Sequence, residues 1–92
     1  MKKININNIE YEIVEDYKDG FDKDVVLEKI TDYFEPYDYI VGDWSYGKVR
    51  LKGFCDKNNS IYKPYNDFKN YKTYLKDQCA YDCRYFVLKK IK

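Results

Sequence analysis

The chain contains no histidine, and this absence excludes several kinds of catalytic site. A Ser–His or Cys–His nucleophilic pair, a His-ligated zinc ion and His-based acid–base catalysis would each need an imidazole supplied by a partner. Cysteine is also scarce, with three residues. That odd number, in a sequence without an export signal, predicts a reducing cytosol.

Long hydrophobic runs are absent as well. The longest apolar stretches are a handful of residues, far short of the roughly 20 that span a bilayer. The amino-terminal stretch "MKKININN" begins with basic residues but has no apolar segment behind them, so it does not predict a signal peptide. We therefore expect a cytoplasmic protein that makes no membrane contact.

Neither sign of charge is in clear excess. The sequence has 17 Lys and Arg against 16 Asp and Glu, a net charge of +1. A dedicated non-specific nucleic-acid binder normally has a clear basic excess, because neutralising phosphates supplies most of its affinity. The composition therefore does not favour a nucleic-acid partner, and any basic patch must be local.

What the sequence does contain is tyrosine. The 92 residues, enough for a single domain over 1–92, include 12 Tyr, five Phe and one Trp, with a mean hydropathy of −0.81. Tyrosine contributes large contact areas while its hydroxyl stays at the water boundary. This composition predicts a folded domain with a thin core and a wet rim.

Alternating apolar residues and turn residues predict the element order ββαββαβ. The fold class that follows is α+β, a single-domain sandwich of mainly antiparallel strands with two helices. The predicted elements are two strands over 3–14 that turn at Asn7-Asn8, a loop at 15–21, a helix from Asp22 that ends at Pro36, strands at 39–44 and 48–54, a helix over 66–78 and a strand over 84–91.

The stretch "YDYIVGDWSYGKVRLKGF" at 37–54 holds the only Trp and three of the four Gly. Its alternation predicts a β-hairpin with Val49 and Leu51 on one face of the second strand. The other face carries three cations, which we call the basic stripe: Lys48, Arg50 and Lys52.

Two interpretations of the basic stripe are open. It is either a phosphate-binding face beside stacking aromatics such as Trp44 and Tyr46, or a solvated strand face that limits edge pairing. Asp43, on the neighbouring strand, is one of the acids that would then sit opposite the cations. The near-zero net charge favours the solvated face.

The pair Cys79 and Cys83 is a second candidate site. On a last helical turn the two thiols would share one face, close enough for a disulfide or a metal. A zinc site needs four ligands, and without histidine only Cys55 and carboxylates remain. A buried structural role is therefore favoured, with a reversible redox pair as the alternative.

The loop at 15–21 is a third candidate, because it is acidic. It lacks the ligand positions of an EF-hand, and helix capping by Asp22 plus a turn at Gly20 explains its composition more simply.

Three blocks of this sequence resemble the YutD-like family, small cytosolic proteins of low-GC Gram-positive bacteria. They are "DYKDGF" at 16–21, the hairpin stretch at 37–54, and Cys-x3-Cys-x-"YFVLKK" at 79–90. The resemblance spans the chain from about Ile9 to Ile91. It implies a compact α+β sandwich and carries no established biochemical activity. Because loop residues fall within a family block, it also indicates a contact surface at 16–21.

We therefore expect a non-enzymatic binding module that contacts a protein or ribonucleoprotein partner through the hairpin 39–54 and the loop 15–21. No catalytic residue, metal or cofactor is predicted. The alternative is a thiol-based redox or metal-dependent enzyme that uses Cys79 and Cys83. The expected partner-binding residues are Asp16, Asp19, Phe21, Trp44, Tyr46, Gly47, Lys48, Arg50 and Lys52.

Overall fold

The computed structural model describes residues 2–45, 47–78 and 83–91. Within them, five strands form one sheet and two α-helices pack beside it, which confirms the predicted α+β class and the order ββαββαβ. The elements are β1 (Lys2–Ile6), β2 (Ile9–Tyr17), α1 (Lys23–Lys29), β3 (Tyr39–Ser45), β4 (Lys48–Phe54), α2 (Tyr71–Gln78) and β5 (Tyr85–Lys90), with short 3-10 helices at Asp32–Phe34, Pro64–Asn66 and Phe68–Asn70.

All neighbouring strands of the sheet are antiparallel, in the spatial order β1-β2-β5-β3-β4. The last strand in sequence, β5, therefore lies in the centre and joins the two hairpins. The first hairpin turns at Asn7 and Asn8, whose φ angles of 51° and 67° are the left-handed values that a tight turn needs. The second hairpin, β3–β4, pairs Trp44 with Val49 and Asp43 with Arg50.

The sheet is buried on both faces, because successive residues of its central strands enter different cores. Ile40 joins Phe86, Leu88 and the α1 residue Val26 in the first core cluster. On the opposite face the second core cluster is formed by Tyr39, Val41, Phe54, Leu75 and Val87, and Leu75 comes from α2. The predicted sandwich is thus a sheet covered by one helix on each side.

Three predicted boundaries differ from the structure. Strand β2 continues to Tyr17 because residues 15–17 pair with β5 after a bulge between Ile13 and Glu15, so the predicted loop at 15–21 begins only at Lys18. The predicted helix from Asp22 to Pro36 is interrupted at Ile30, whose backbone is extended, and a separate 3-10 turn follows. The predicted helix over 66–78 becomes α-helical only at Tyr71.

Candidate partner-binding surface

The loop after β2 is a tight left-handed turn closed by its own backbone. Lys18 and Asp19 both have φ of 54°, and the Gly20 amide donates to the Tyr17 carbonyl at 3.1 Å. The Asp16 carboxylate accepts from the Phe21 amide at 3.0 Å. This contact spans the turn and fixes both of its ends.

Gly20 is the position where the loop touches the sheet most closely. A Cβ at this residue would lie 2.4 Å from the carbonyl oxygen of Tyr85 and 2.6 Å from its nitrogen. Since both are backbone atoms of the central strand β5, they cannot move aside, and only glycine fits.

Trp44 joins this loop to the end of the β3–β4 hairpin. Its indole Nε1 donates to the Gly20 carbonyl at 2.6 Å, and its backbone amide donates to the Arg84 carbonyl at 3.0 Å. The guanidinium of Arg84 lies 4.2 Å from the indole centroid, a cation–π contact, and its Nη1 donates to the Asp19 carbonyl at 3.4 Å. The loop and the hairpin end are therefore one continuous surface, which we call the loop–hairpin surface.

The predicted partner-binding residues differ in exposure. Asp16, Asp19, Gly47 and Lys48 are exposed. Trp44 and Phe21 are half-buried, and the Phe21 ring meets Phe86 edge-to-face at 5.5 Å. Phe21 thus serves the first core cluster. Tyr46 lies outside the described residues.

The basic stripe lies on the face of the sheet that carries α2, so it is not the freely solvated face that the sequence favours. Arg50 Nη2 donates to Asp43 Oδ2 at 2.6 Å, and the Asp43 side chain is fully buried. This hydrogen bond raises the pKa of Arg50. The expected pairing of Asp43 with the stripe is confirmed.

The other two cations of the stripe have different surroundings. Lys52 is half-buried, with its Nζ between 5.4 and 5.8 Å from the ring centroids of Phe54, Tyr65 and Tyr74. Lys48, next to the hairpin turn, is exposed. Of the three cations of the basic stripe, Lys48 is therefore the one that is solvated as the second interpretation predicts.

A carboxylate that the sequence places in a loop turns out to anchor α2. Glu15 accepts hydrogen bonds from the hydroxyls of Tyr71, in α2, and of Tyr85, in β5, the second at 2.8 Å. Burial, reinforced by Glu15, raises the pKa of Tyr85 to about 12. Sequence reasoning missed this cluster and also Arg84, because their partners are distant in sequence: 56 positions separate Glu15 from Tyr71, and 65 separate Arg84 from Asp19.

Of the predicted cysteine pair, the structure describes Cys83. Cys79 lies outside the described residues, so its predicted redox or structural role stays a prediction. Cys83 is half-buried. Cys55 is a free, fully buried thiol whose pKa is raised by burial, which fits a packing role.

Over 2–45, 47–78 and 83–91, no three Cys, Asp or Glu side chains come together in a group that could hold a metal ion. In the same part of the chain, no helix has the length and apolar character needed to cross a membrane.

Comparison with known proteins gives consistent matches. A family model described as "Putative antitoxin YutD-like" matches residues 5–89. A Bacillus subtilis (strain 168) protein described as "Putative antitoxin YutD" is 42% identical over 89 residues, which cover 97% of this chain and 98% of that protein. The solution NMR structure of protein yutD from B. subtilis superposes with a TM-score of 0.83 at 40% identity, covering all of this chain and 84% of that one.

Proposed function

We propose that this chain, which belongs to the YutD-like family, is a small non-enzymatic cytoplasmic module that acts by binding a protein or ribonucleoprotein partner. The B. subtilis relative carries the description "Putative antitoxin YutD". A protein that opposes another without a catalytic site of its own does so by binding, so the description agrees with a binding module. We take the loop–hairpin surface as the contact surface.

One observation carries this proposal, the hydrogen bond of 2.6 Å from Trp44 to the Gly20 carbonyl. It ties together two segments that the sequence singles out separately, the loop and the hairpin end. A surface held in place before binding loses little conformational freedom when the partner docks. Trp and Arg, here the half-buried Trp44 and the exposed Arg84, are the residue types that dominate binding energy at protein interfaces.

Charge supports a protein partner over bare nucleic acid. The exposed residues of the loop–hairpin surface carry both signs, acidic Asp16 and Asp19 with basic Lys18, Lys48 and Arg84. A surface of mixed sign suits a partner that also carries both signs, whereas a non-specific nucleic-acid binder normally has a clear basic excess.

The test is capture of a partner from an extract of the source organism by the tagged chain, compared with two variants. Trp44→Phe keeps a large ring but removes the indole donor that holds Gly20. Tyr39→Phe is the matched control, because it also removes one aromatic hydrogen bond, the one from the Tyr39 hydroxyl to Asp56 at 3.2 Å. Circular dichroism checks that both variants are folded.

We expect Trp44→Phe to capture less than about a tenth of the partner that the wild type captures, because a loss of about 1.4 kcal/mol of binding energy weakens binding tenfold. Tyr39→Phe should capture as much as the wild type. Nuclease treatment then separates a protein partner from a ribonucleoprotein. Equal capture by all three forms would place the contact elsewhere, and capture of no specific partner by the wild type would contradict the binding-module function.

A further inference from the structure

The outer edge of β4 is the second unusual surface of the molecule. In the described part of the chain, Lys48–Phe54 pairs with β3 on one side only. Directly after it, Cys55 already pairs on the outer side, in a parallel bridge to Asp67. The Cys55 amide donates to the Asn66 carbonyl at 2.7 Å, and the Phe68 amide donates to the Cys55 carbonyl at 3.1 Å. The edge thus accepts extended backbone at Cys55 and stays open along β4.

Aromatic side chains form a groove along this open edge. The groove has a volume of about 390 Å³, and the part of β4 that lines it is Leu51, Lys52 and Gly53. Tyr37 packs against the first core cluster and Tyr74 against the second, so the walls come from both faces of the sheet. The remaining walls include Tyr33 and Tyr65, which are 65% and 71% exposed. Exposed tyrosines around a strand edge are a suitable frame for a bound peptide backbone.

The side chains of β4 define what would fit beside it. Lys48 and Lys52 lie on one face of the strand, Val49 and Leu51 on the other, and no Asp or Glu occurs from Trp44 to Cys55. A strand paired alongside places its own side chains directly opposite these. Acidic side chains would face the lysines, and apolar ones would extend the contacts that Val49 and Leu51 make with the first core cluster.

The same pattern disfavours two other occupants. A second copy pairing through β4 would set lysines and Arg50 against one another, and like charges directly opposite destabilise a strand pair. Nucleic acid that stacks its bases on a sheet needs an open sheet face, but both faces of this sheet carry core clusters.

We propose that the β4 edge binds an extended segment of a partner protein, with alternating acidic and apolar side chains, as a sixth strand of the sheet. The proposal rests on the proposed function, since it assigns a binding mode to that partner. The backbone hydrogen bonds supply affinity, and the lysines and the tyrosine groove supply selectivity.

The experiment selects peptides from a displayed library of random ten-residue sequences on the full chain. Two variants follow: Lys48→Glu with Lys52→Glu reverses the charge of the β4 edge, and Lys2→Glu with Lys3→Glu makes the same change on β1, the other edge strand. Lys48→Glu alone, at an exposed position, is included in case the first double variant does not fold. A random-sequence RNA pool at low salt is the competing probe.

We expect the enriched peptides to have acidic residues that alternate with Val, Ile or aromatic residues, and to lack proline. Their binding should fall at least tenfold in the β4 variant, or about threefold in Lys48→Glu alone, and stay within twofold in the β1 variant. Amide exchange in the complex should slow along Lys48–Phe54. No enrichment, a basic or proline-rich pool, equal binding to all variants, or RNA binding that depends on these lysines would each overturn the proposal.

The two proposals fail separately. If Trp44→Phe loses the captured partner but the library yields no acidic peptides, the binding-module proposal is supported and the sixth-strand proposal is contradicted. An acidic pool that depends on the β4 lysines, without any partner captured from extract, supports peptide binding at the edge and contradicts the proposed function.

Discussion

At the scale of single residues, Gly20 and Trp44 hold the loop of residues 18–20 against the sheet. Sequence reasoning could single out both, Gly20 as a turn residue and Trp44 as the only indole and an expected partner-binding residue, but it could not connect them. The deciding hydrogen bond joins residues 24 positions apart, and no local pattern reports such a separation. Trp44 is in fact half-buried and serves the fold and the surface together.

We expect Gly20→Ala to destabilise the protein by about 2–3 kcal/mol, as overpacking against an immobile neighbour does. The new Cβ would meet the Tyr85 backbone at 2.4 Å. Gly47→Ala is the matched control. Its φ of 76° is unfavourable for alanine but its Cβ would meet nothing within 4 Å, so the cost is about 1 kcal/mol. Urea denaturation measures both free energies of unfolding, and a larger loss at Gly47 would contradict the close packing described for Gly20.

At the scale of elements, the sequence predicts strands better than helices. The bounds of β4 match the prediction because Lys48 to Leu51 alternate cleanly between polar and apolar. The helix after Asp22 is predicted too long because Val26, Ile30 and Phe34 keep helical spacing across a break. Ile30 ends α1 in an extended conformation, and Thr31 starts a new turn by accepting from the Tyr33 amide at 3.4 Å. The spacing of apolar residues stays helical across Ile30, so a sequence pattern cannot detect the extended backbone that ends the helix there.

The predicted cap of α1 is confirmed and gives an element-scale prediction. Asp22 accepts a hydrogen bond from the Val25 amide at 3.3 Å, so Asp22→Ala should cost about 1 kcal/mol of stability. Asp24→Ala removes an acid from the same first turn without touching the cap, and should cost at most about 0.5 kcal/mol. Thermal unfolding compares the two, and equal shifts in melting temperature would show that charge near the helix end, not the cap, is what matters.

At the scale of the whole molecule, the tyrosines divide between core and surface. Tyr11 and Tyr39 are buried, while Tyr33 and Tyr65 stay largely exposed and contribute to the wet rim that the composition predicts. The sequence could not predict which tyrosine has which role, because the hydroxyl partners come from distant elements, as Glu15 does for Tyr71 and Tyr85.

These tyrosines make the fold sensitive to alkali. Burial, with nearby Asp56, raises the pKa of Tyr39 to about 12, and burial with Glu15 raises that of Tyr85 to about 12, against about 10 in an unfolded chain. Because the folded state holds these protons more tightly, their contribution to stability is complete below about pH 10 and declines as the pH rises towards 12.

We therefore expect part of the tyrosinate absorbance of the native protein to appear only above pH 10, as circular dichroism reports unfolding. In concentrated urea, where every phenol has its unfolded pKa, that part should appear near pH 10. Native tyrosinate absorbance that is complete near pH 10 would mean that the hydroxyls of Tyr39 and Tyr85 are open to solvent.

The position of the indole has a practical consequence. The chain's only tryptophan is the side chain that touches the Gly20 carbonyl and the Arg84 guanidinium. Intrinsic fluorescence is therefore a site-specific optical reporter, without any label attached. A shift of its emission during a titration with a ligand that lacks tryptophan would signal a change in the surroundings of that junction.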